Sequence, residues 1–330
     1  MRSIENHRLF GGSVRRTADL TDHFLRATET AAIAAAEWRG RGARKLADGA
    51  AVEAMRKVFD DVPFDGRVAI GEGERDDAPM LWIGEPLGSM QGEPDALRID
   101  IAVDPLECTN HVATDSPNAI AVLAAAPRGA LLHAPDCYMD KIAGAAALIG
   151  EVSLEADVSY NIEAAAAALD KQPRELLVVV MDRPRHEDLI RDLRQMDVRI
   201  RLIGDGDVAG ALDAADPTSE VDLLMGVGAA PEGVITATAL RGLGAHFEGR
   251  LVFRNEGHRE RAEEMVGGDI ERVWARDDLC ESDDAVFIAS GVCTGYLPGV
   301  ERFEDRVAVH SEIIDVASGD RTYISSEHSV

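Results

Sequence analysis

Two carboxylates and a hydroxyl stand within six residues at Asp104-Pro105-Leu106-Glu107-Cys108-Thr109. A turn opened by proline leaves backbone N–H groups without ladder partners. Carboxylates of this kind hold a hard cation, and the cation together with free N–H groups holds a phosphate. The plain alternative is a strand that ends in an acidic loop. More acids recur at similar places. Asp48 lies four residues before Val52, on the stripe Val52, Met55 and Phe59 of a helix expected over 45–59. A carboxylate on a buried stripe is costly unless it is paired or bound to a cation. It either pairs with Arg44 one turn earlier or serves as a ligand. Glu72 opens Gly71-Glu72-Gly73-Glu74-Arg75-Asp76-Asp77, where four carboxylates within six residues repel one another without a cation and the glycines permit close backbone approach. An exposed acidic turn is the alternative there. Glu232 follows Pro231 at the start of an expected helix, where capping alone would account for it.

Asp48, Glu72, Asp104, Glu107 and Glu232 are oxygen donors only, a set that selects Mg²⁺ or Mn²⁺ over zinc. Such ions bind a phosphate, lower the pKa of a bound water and stabilise the leaving oxygen. A further carboxylate beside a hydroxyl, Asp76 with Thr109, would orient or deprotonate that water. No Walker-type loop, dinucleotide fingerprint or Ser-His-Asp elbow competes with this chemistry. The residues therefore point to metal-dependent phosphoryl hydrolysis.

The elements that must position these groups follow from periodicity. Leu97, Ile99, Ile101 and Val103 alternate as in a strand, with Asp104 expected at its end because Pro105 stops the ladder. Helices are expected over 17–38 and 45–59. Short buried strands are expected over 68–70, 80–83, 119–126 and 130–133. Pro135-Asp136-Cys137-Tyr138-Met139-Asp140-Lys141 mixes a phenol, an ammonium and acids, or is simply a surface turn with a core tyrosine. From about residue 150, strands over 176–181, 199–203 and 221–225 alternate with helical patterns over 158–170, 186–196 and 207–214. This alternation predicts βαβ units and a mostly parallel sheet. Ligands bind at the carboxyl ends of such strands. Three loops leave those ends, at 183–186, 204–207 and 226–233, and the first offers two guanidiniums to a phosphate. Strands over 250–253 and 285–289, a charged helix over 258–267 and a hairpin over 312–324 complete the chain. The expected division is a loose extension over 1–15, a metal-site αβ region over 16–150, and a second αβ region over 151–330 packed against it.

The 330 residues suffice for a large core, and 46% hydrophobic with 28% charged residues is a globular composition. Against 60 acidic residues stand only 34 lysines and arginines, a formal charge of −26. That field repels nucleic acid and anionic membranes, and it repels an anionic substrate too unless metal ions or clustered arginines reverse the local sign. Cys108, Cys137, Cys280 and Cys293 stand far apart without CxxC spacing, which predicts reduced, mostly buried thiols. No run is long enough to cross a membrane and no export signal is visible, so a cytoplasmic protein is expected.

Asp104 to Thr109 resembles the Asp-Pro-(Ile/Leu)-(Asp/Glu)-Gly-Thr signature of the lithium-sensitive, metal-dependent phosphatase superfamily. GRGARKLADGAAVEAM (40–55), IGEGERDDAPML (70–81), APDCYMDK (134–141), RPRH (183–186), DGDVA (205–209) and APEGV (230–234) are similar, in order, to landmarks of the class II fructose-1,6-bisphosphatases of bacteria. The resemblance implies an α/β fold, a layered αβαβα sandwich of the sugar-phosphatase type, with a role in carbohydrate metabolism and gluconeogenesis. It implies Mg²⁺ or Mn²⁺ on Asp48, Glu72, Asp104, Glu107 and Glu232, and activation of the attacking water by Asp76 and Thr109. It implies a sugar bisphosphate held by Glu107, Cys108, Thr109, Tyr138, Arg183, Pro184, Arg185, Asp205, Gly206, Asp207 and Ala229, and a homo-oligomer. Arg44 stands where that family has a lysine near the metals. Four departures change the pocket floor: Cys108 for the signature glycine, Asn110 for a frequent arginine, Asp115-Ser116-Pro117 for a glycine-containing run, and Ala229 for a glycine. A β-carbon at 108 either crowds the phosphate or requires a positive φ. The expected reaction is removal of the 1-phosphate of fructose-1,6-bisphosphate. The alternatives are a paralogue acting on sedoheptulose-1,7-bisphosphate or a sugar monophosphate, and a non-catalytic metal-binding protein.

Overall fold

The structure, a computed structural model, describes residues 14–73 and 80–329. In chain order the first part holds α1 (Thr21–Ala36), α2 (Arg44–Phe59), β1 (Asp65–Ile70), β2 (Pro86–Leu87), β3 (Arg98–Glu107), α3 (Thr109–Thr114) and β4 (Ile120–Pro127). The middle holds β5 (Tyr138–Gly144), α4 (Val158–Ala168), β6 (Leu177–Met181), α5 (Glu187–Gln195), β7 (Arg199–Ile203) and α6 (Asp207–Ala215). It continues through β8 (Leu223–Ala229), α7 (Ala230–Gly242), β9 (His246–Val252), α8 (Glu256–Val266), β10 (Trp274–Ala275) and α9 (Arg276–Leu279). The end holds β11 (Val286–Gly291), β12 (Glu301–Arg302), β13 (Arg306–Asp315) and β14 (Arg321–Ser329). The chain is mixed α/β, as expected, with two mixed sheets and nine α-helices among the described residues.

Two compact units share these elements. The first takes the chain up to Gly129 and again from Ser282, and the second runs from Ala130 to Glu281. The expected boundary near residue 150 is therefore wrong, and the end of the chain belongs to the first unit. The reason is strand pairing between distant segments: β5 is hydrogen-bonded between β8 and β9, while β11 is hydrogen-bonded between β4 and β13.

In the first unit the strand order is β12-β13-β11-β4-β3-β1-β2, with β14 on β13, and only β1 and β3 run parallel. Helices α1 and α2 cover it with an apolar cluster that includes Phe24 and Phe59, whose rings meet Phe64 at 5.9 and 6.3 Å. Leu97, Ile99, Ile101 and Val103 enter the same cluster, as their alternation predicts. On the other face of β3 the fully buried Asp100 takes two bonds from Arg67, at 3.0 and 2.7 Å, so its charge is matched. The segment 80–83 is not a strand: Leu81 has φ 54° and the next ladder residues are Pro86 and Leu87.

In the second unit the order is β10-β9-β5-β8-β6-β7, and only β6 with β7 and β6 with β8 are parallel. The sheet is thus mixed rather than mostly parallel, because β5 is inserted antiparallel between β8 and β9. The expected strand over 130–133 is reduced to one bridge, Leu131 to Cys280. The hairpin turning near Gly319 is present as β13 and β14. No helix among the described residues is long and apolar enough to cross a membrane.

Candidate active site

In the first unit the acidic turn grows out of β3. The strand does not stop at Pro105 but continues to Glu107, with a register shift against β4 between Asp104 and Glu107. Proline has no N–H for the ladder, and a bulge absorbs that loss without ending the strand. Asp104 Oδ1 accepts the Leu106 N–H at 3.0 Å, which turns the backbone back on itself. Cys108 follows at φ 69°, ψ 47°, the left-handed conformation that lets α3 begin at Thr109. Of the two outcomes expected for a β-carbon here, the positive φ is realised, in a buried residue.

Thr109 Oγ1 lies 3.1 Å from the Leu106 carbonyl and 3.5 Å from Asp48 Oδ1, so α2 and the turn meet at this hydroxyl. Asp48 is not paired with Arg44 by a hydrogen bond. The Arg44 guanidinium donates to Asn110 Oδ1 at 3.0 Å and reaches Asp48 only through space. Burial pushes the Asp48 carboxyl above its usual range, against the Thr109 bond and the Arg44 charge, which favour the anion. A carboxylate left in that condition fits a cation. Glu107 is buried beside the same turn.

Glu72 sits in a loop shaped by Gly71. A β-carbon at Gly71 would stand 1.9 Å from the Leu81 carbonyl oxygen, and that carbonyl accepts the Glu72 N–H at 3.0 Å. Close approach therefore requires the glycine, as its spacing predicts. Asp76, expected as a proton acceptor, lies outside the described residues.

In the second unit the basic residues gather around Tyr138. The Arg185 guanidinium stands 5.2 Å from its ring centroid and that of Arg254 only 3.6 Å. Ala229 is the register partner of Tyr138, across the β5–β8 ladder. Arg183 opens a 3₁₀ turn, Pro184–His186, and the Arg185 Nε–H donates to the Val227 carbonyl at 2.9 Å. Among the described residues, Arg183, Arg185 and Arg254 have no carboxylate within salt-bridge distance. Burial and the charges of Arg183 and Arg254 lower the Arg185 pKa, against Tyr138 and the more distant Asp207 carboxylate, which favour the charged form. Arg254 was not singled out in the sequence. It follows β9 with no motif around it, and only the pairing of β9 with β5 brings it to Tyr138.

Gly206, at φ 95°, precedes α6, and Asp205 is half-buried beside it. Asp207 is engaged elsewhere: its Oδ2 lies 2.6 Å from Nζ of Lys141, and both side chains are buried. A β-carbon on Gly228 would stand 1.9 Å from that carboxylate oxygen, so the glycine makes room for the ion pair against β8. Lys141 is a second residue that the sequence left unassigned to the site. Glu232 lies in the first turn of α7 behind Pro231, where an acid is favourable at the positive end of the helix dipole.

All four cysteines are free and buried, as their spacing predicts. Burial holds the Cys137 thiol at about 12 and the Cys293 thiol at about 11, so neither is a nucleophile near neutral pH.

Comparison with known proteins extends over nearly the whole chain. A family model described as "Bacterial fructose-1,6-bisphosphatase, glpX-encoded" matches residues 18–328. A protein named D-fructose 1,6-bisphosphatase class 2/sedoheptulose 1,7-bisphosphatase from Synechococcus sp. (strain JA-3-3Ab) is 43% identical over 319 residues, covering 90% of this chain and 91% of its own. Proteins of the same name from Synechocystis sp. and Crocosphaera subtropica are 41% and 40% identical, each over 92% of this chain and 94% of their own. Among solved structures, an inositol monophosphatase from Anabaena (Nostoc) sp. PCC 7120 is matched at TM-score 0.31 and 16% identity, over 60% of this chain and 72% of that one. With its acidic turn, its cluster of arginines and matches that run from residue 18 to residue 328, the chain belongs to the bacterial, glpX-encoded fructose-1,6-bisphosphatase family, whose members are phosphoric monoester hydrolases.

Proposed function

We propose that this chain removes the 1-phosphate of fructose-1,6-bisphosphate, yielding fructose 6-phosphate and phosphate, with Mg²⁺ or Mn²⁺ held by Asp48, Glu72, Asp104, Glu107 and Glu232. The observation that carries this reading is the turn from Asp104 to Thr109, where a bulged strand, a left-handed Cys108 and the approach of Asp48 to Thr109 collect oxygen donors beside the start of α3. The donors are all oxygen, and burial disfavours the Asp48 charge unless a cation is near. A divalent ion bound there supplies the charge that draws in the phosphate and lowers the pKa of a bound water. Thr109 would orient the attacking water, with Asp76 as its proton acceptor. Cys108 and Glu107 line the 1-phosphate. Arg183 and Arg185 bind the distal phosphate, with Pro184, Tyr138, Ala229, Asp205, Gly206 and Asp207 around the sugar. The clustered guanidiniums near Tyr138 are suited to an anion, in a chain whose overall charge of −26 disfavours nucleic acid as a partner.

Two observations favour sedoheptulose-1,7-bisphosphate as a second substrate: the relatives carry both names, and Cys108 and Ala229 alter the pocket floor. We place the enzyme in the cytoplasm as a homo-oligomer. Its four free thiols suit a reducing compartment, and light scattering that returned a monomer would remove the oligomer.

The test is phosphate release with added Mn²⁺ or Mg²⁺ from fructose-1,6-bisphosphate, sedoheptulose-1,7-bisphosphate and sugar monophosphates. Asp104→Asn is expected to lower turnover by about 100-fold or more, and chelation to abolish it. An inactive wild type, or an unaffected variant, overturns the reading. Metal binding without hydrolysis of any ester would favour the non-catalytic alternative, and preference for another sugar would replace the substrate.

A further inference from the structure

His186 ends the 3₁₀ turn that carries Arg183 and Arg185, and both of its ring nitrogens are committed. The Val227 N–H donates to Nε2 at 2.7 Å, so Nε2 carries no proton. Nδ1 is therefore the protonated nitrogen, and it donates to the Met181 carbonyl at 2.7 Å. That carbonyl also accepts the Arg183 N–H at 2.9 Å, and the His186 N–H donates to the Arg183 carbonyl at 2.9 Å. The imidazole thus closes the turn on β6 and ties it to β8 at the same time.

The tie is needed because of how the sheet is built. β6 pairs with β8 only at Val178 with Leu223 and at Val179 with Leu224. Beyond Leu224 the edge of β8 that faced β6 has lost its ladder partner, and Val227 offers an N–H and a carbonyl there. His186 takes the N–H, and the Arg185 Nε–H takes the carbonyl at 2.9 Å. Gly226 makes the close approach possible. Its φ is 128°, and a β-carbon there would stand 2.8 Å from His186 Nε2. Val227 thus holds the Arg185 side chain by its carbonyl and the His186 ring by its N–H, with the Arg185 guanidinium 5.2 Å from the Tyr138 ring centroid.

We propose that His186 is the positioning residue of the distal-phosphate site, pinning the turn 183–186 to the free edge of β8 and so fixing where Arg185 meets the anion. This rests on the reading of Arg185 as a phosphate ligand given above. His186 does not touch the substrate. It acts by keeping one guanidinium in one place, so that binding does not spend energy on ordering it. The strut exists only with a neutral ring, because a protonated Nε2 cannot accept the Val227 N–H. Burial, with the charges of Arg185 and Arg183, holds the ring neutral, against the Met181 bond and the Asp140 charge, which favour protonation. The residues presented by β6 and β8, Met181, Gly226 and Val227, contribute no titratable group.

The experiment measures KM and kcat for fructose-1,6-bisphosphate across pH 5 to 8 in wild type, His186→Phe and His186→Gln, alongside p-nitrophenyl phosphate, which has no distal phosphate. His186→Phe loses both bonds and is expected to raise the bisphosphate KM about 10-fold while kcat moves less than about 2-fold. Hydrolysis of p-nitrophenyl phosphate should follow wild type. The Gln amide oxygen can accept the Val227 N–H without titrating, so His186→Gln is expected to restore much of the affinity and to remove any rise in KM that wild type develops at pH values below the ordinary imidazole range. Unchanged bisphosphate KM in both folded variants overturns the proposal, as does an equal loss on both substrates. If His186→Phe fails to fold, His186→Leu takes its place, and an unchanged bisphosphate KM in that variant overturns the proposal. A wild type that hydrolyses neither ester ends the functional reading itself, and this inference with it.

Discussion

The acidic turn of the first unit and the arginine cluster of the second are built by opposite means. Between Asp104 and Thr109 the backbone does the work: a bulge at Pro105, a side chain folded onto the Leu106 N–H, and Cys108 in the left-handed region. Around Tyr138 side chains do most of the work, with Gly226 at φ 128° making room for one of them: an aromatic ring under two guanidiniums and an imidazole bonded at both nitrogens. The difference follows from the ligands each region suits. A small cation needs short, fixed oxygen distances, which main-chain geometry sets best. A phosphate at the end of a flexible sugar needs long donors, and those must be held by packing and stacking.

The largest expected effect tests the claim that the second region depends on side-chain pairing. Lys141→Met leaves Asp207 buried without its partner, which should destabilise the protein by about 3–5 kcal/mol in urea unfolding. Replacing Asp207 by leucine in the same chain should recover most of that loss. If Lys141→Met alone is neutral, the ion pair does not hold the 205–207 loop and the contrast with the first region weakens.

A smaller effect tests the backbone of the first region. Cys108→Gly removes the β-carbon from a residue at φ 69°, where a side chain is strained by about 1 kcal/mol. If the β-carbon also crowds the phosphate, bisphosphate turnover should rise a few-fold in steady-state assays. An unchanged rate would show that the turn tolerates cysteine without loss.

The smallest effect lies away from both sites. His328 on β14 approaches Glu29 on α1, with Nε2 3.1 Å from a carboxylate oxygen, and that carboxylate raises the histidine pKa although burial opposes it. The stabilisation is complete below the unfolded value of about 6.5 and is lost as pH rises through the raised folded value. Thermal unfolding should therefore show a modest fall in Tm from pH 6 to 8 in wild type that is absent in His328→Gln. The same fall in both would assign it to other groups.

Much of this was legible in the residues. Alternation placed Ile99, Ile101 and Val103 in the core, helical spacing placed Asp48 beside it, and the glycine of Gly71-Glu72 marked a close backbone approach. Asp207 and Lys141 each fall in a stretch the sequence singles out, but their pairing is not legible there, and Arg254 has no motif around it, because no local pattern reports which side chains meet across strands. The ladder's passage through Pro105 was missed for a related reason. A proline forbids one hydrogen bond, and whether the strand ends or bulges depends on the neighbour it pairs with.

The sequence by itself determined the chemistry: oxygen donors, a hydroxyl, clustered arginines and buried thiols are properties of residue types and short spacings. Only the tertiary structure decided which strands are neighbours, and with that the division at Gly129 and Ser282, the mixed second sheet, and the meeting of Tyr138 with Arg185 and Arg254. Periodicity reports which face of a segment is buried, but it carries no information about the partner across the ladder, because backbone hydrogen bonds are the same whichever strand supplies them.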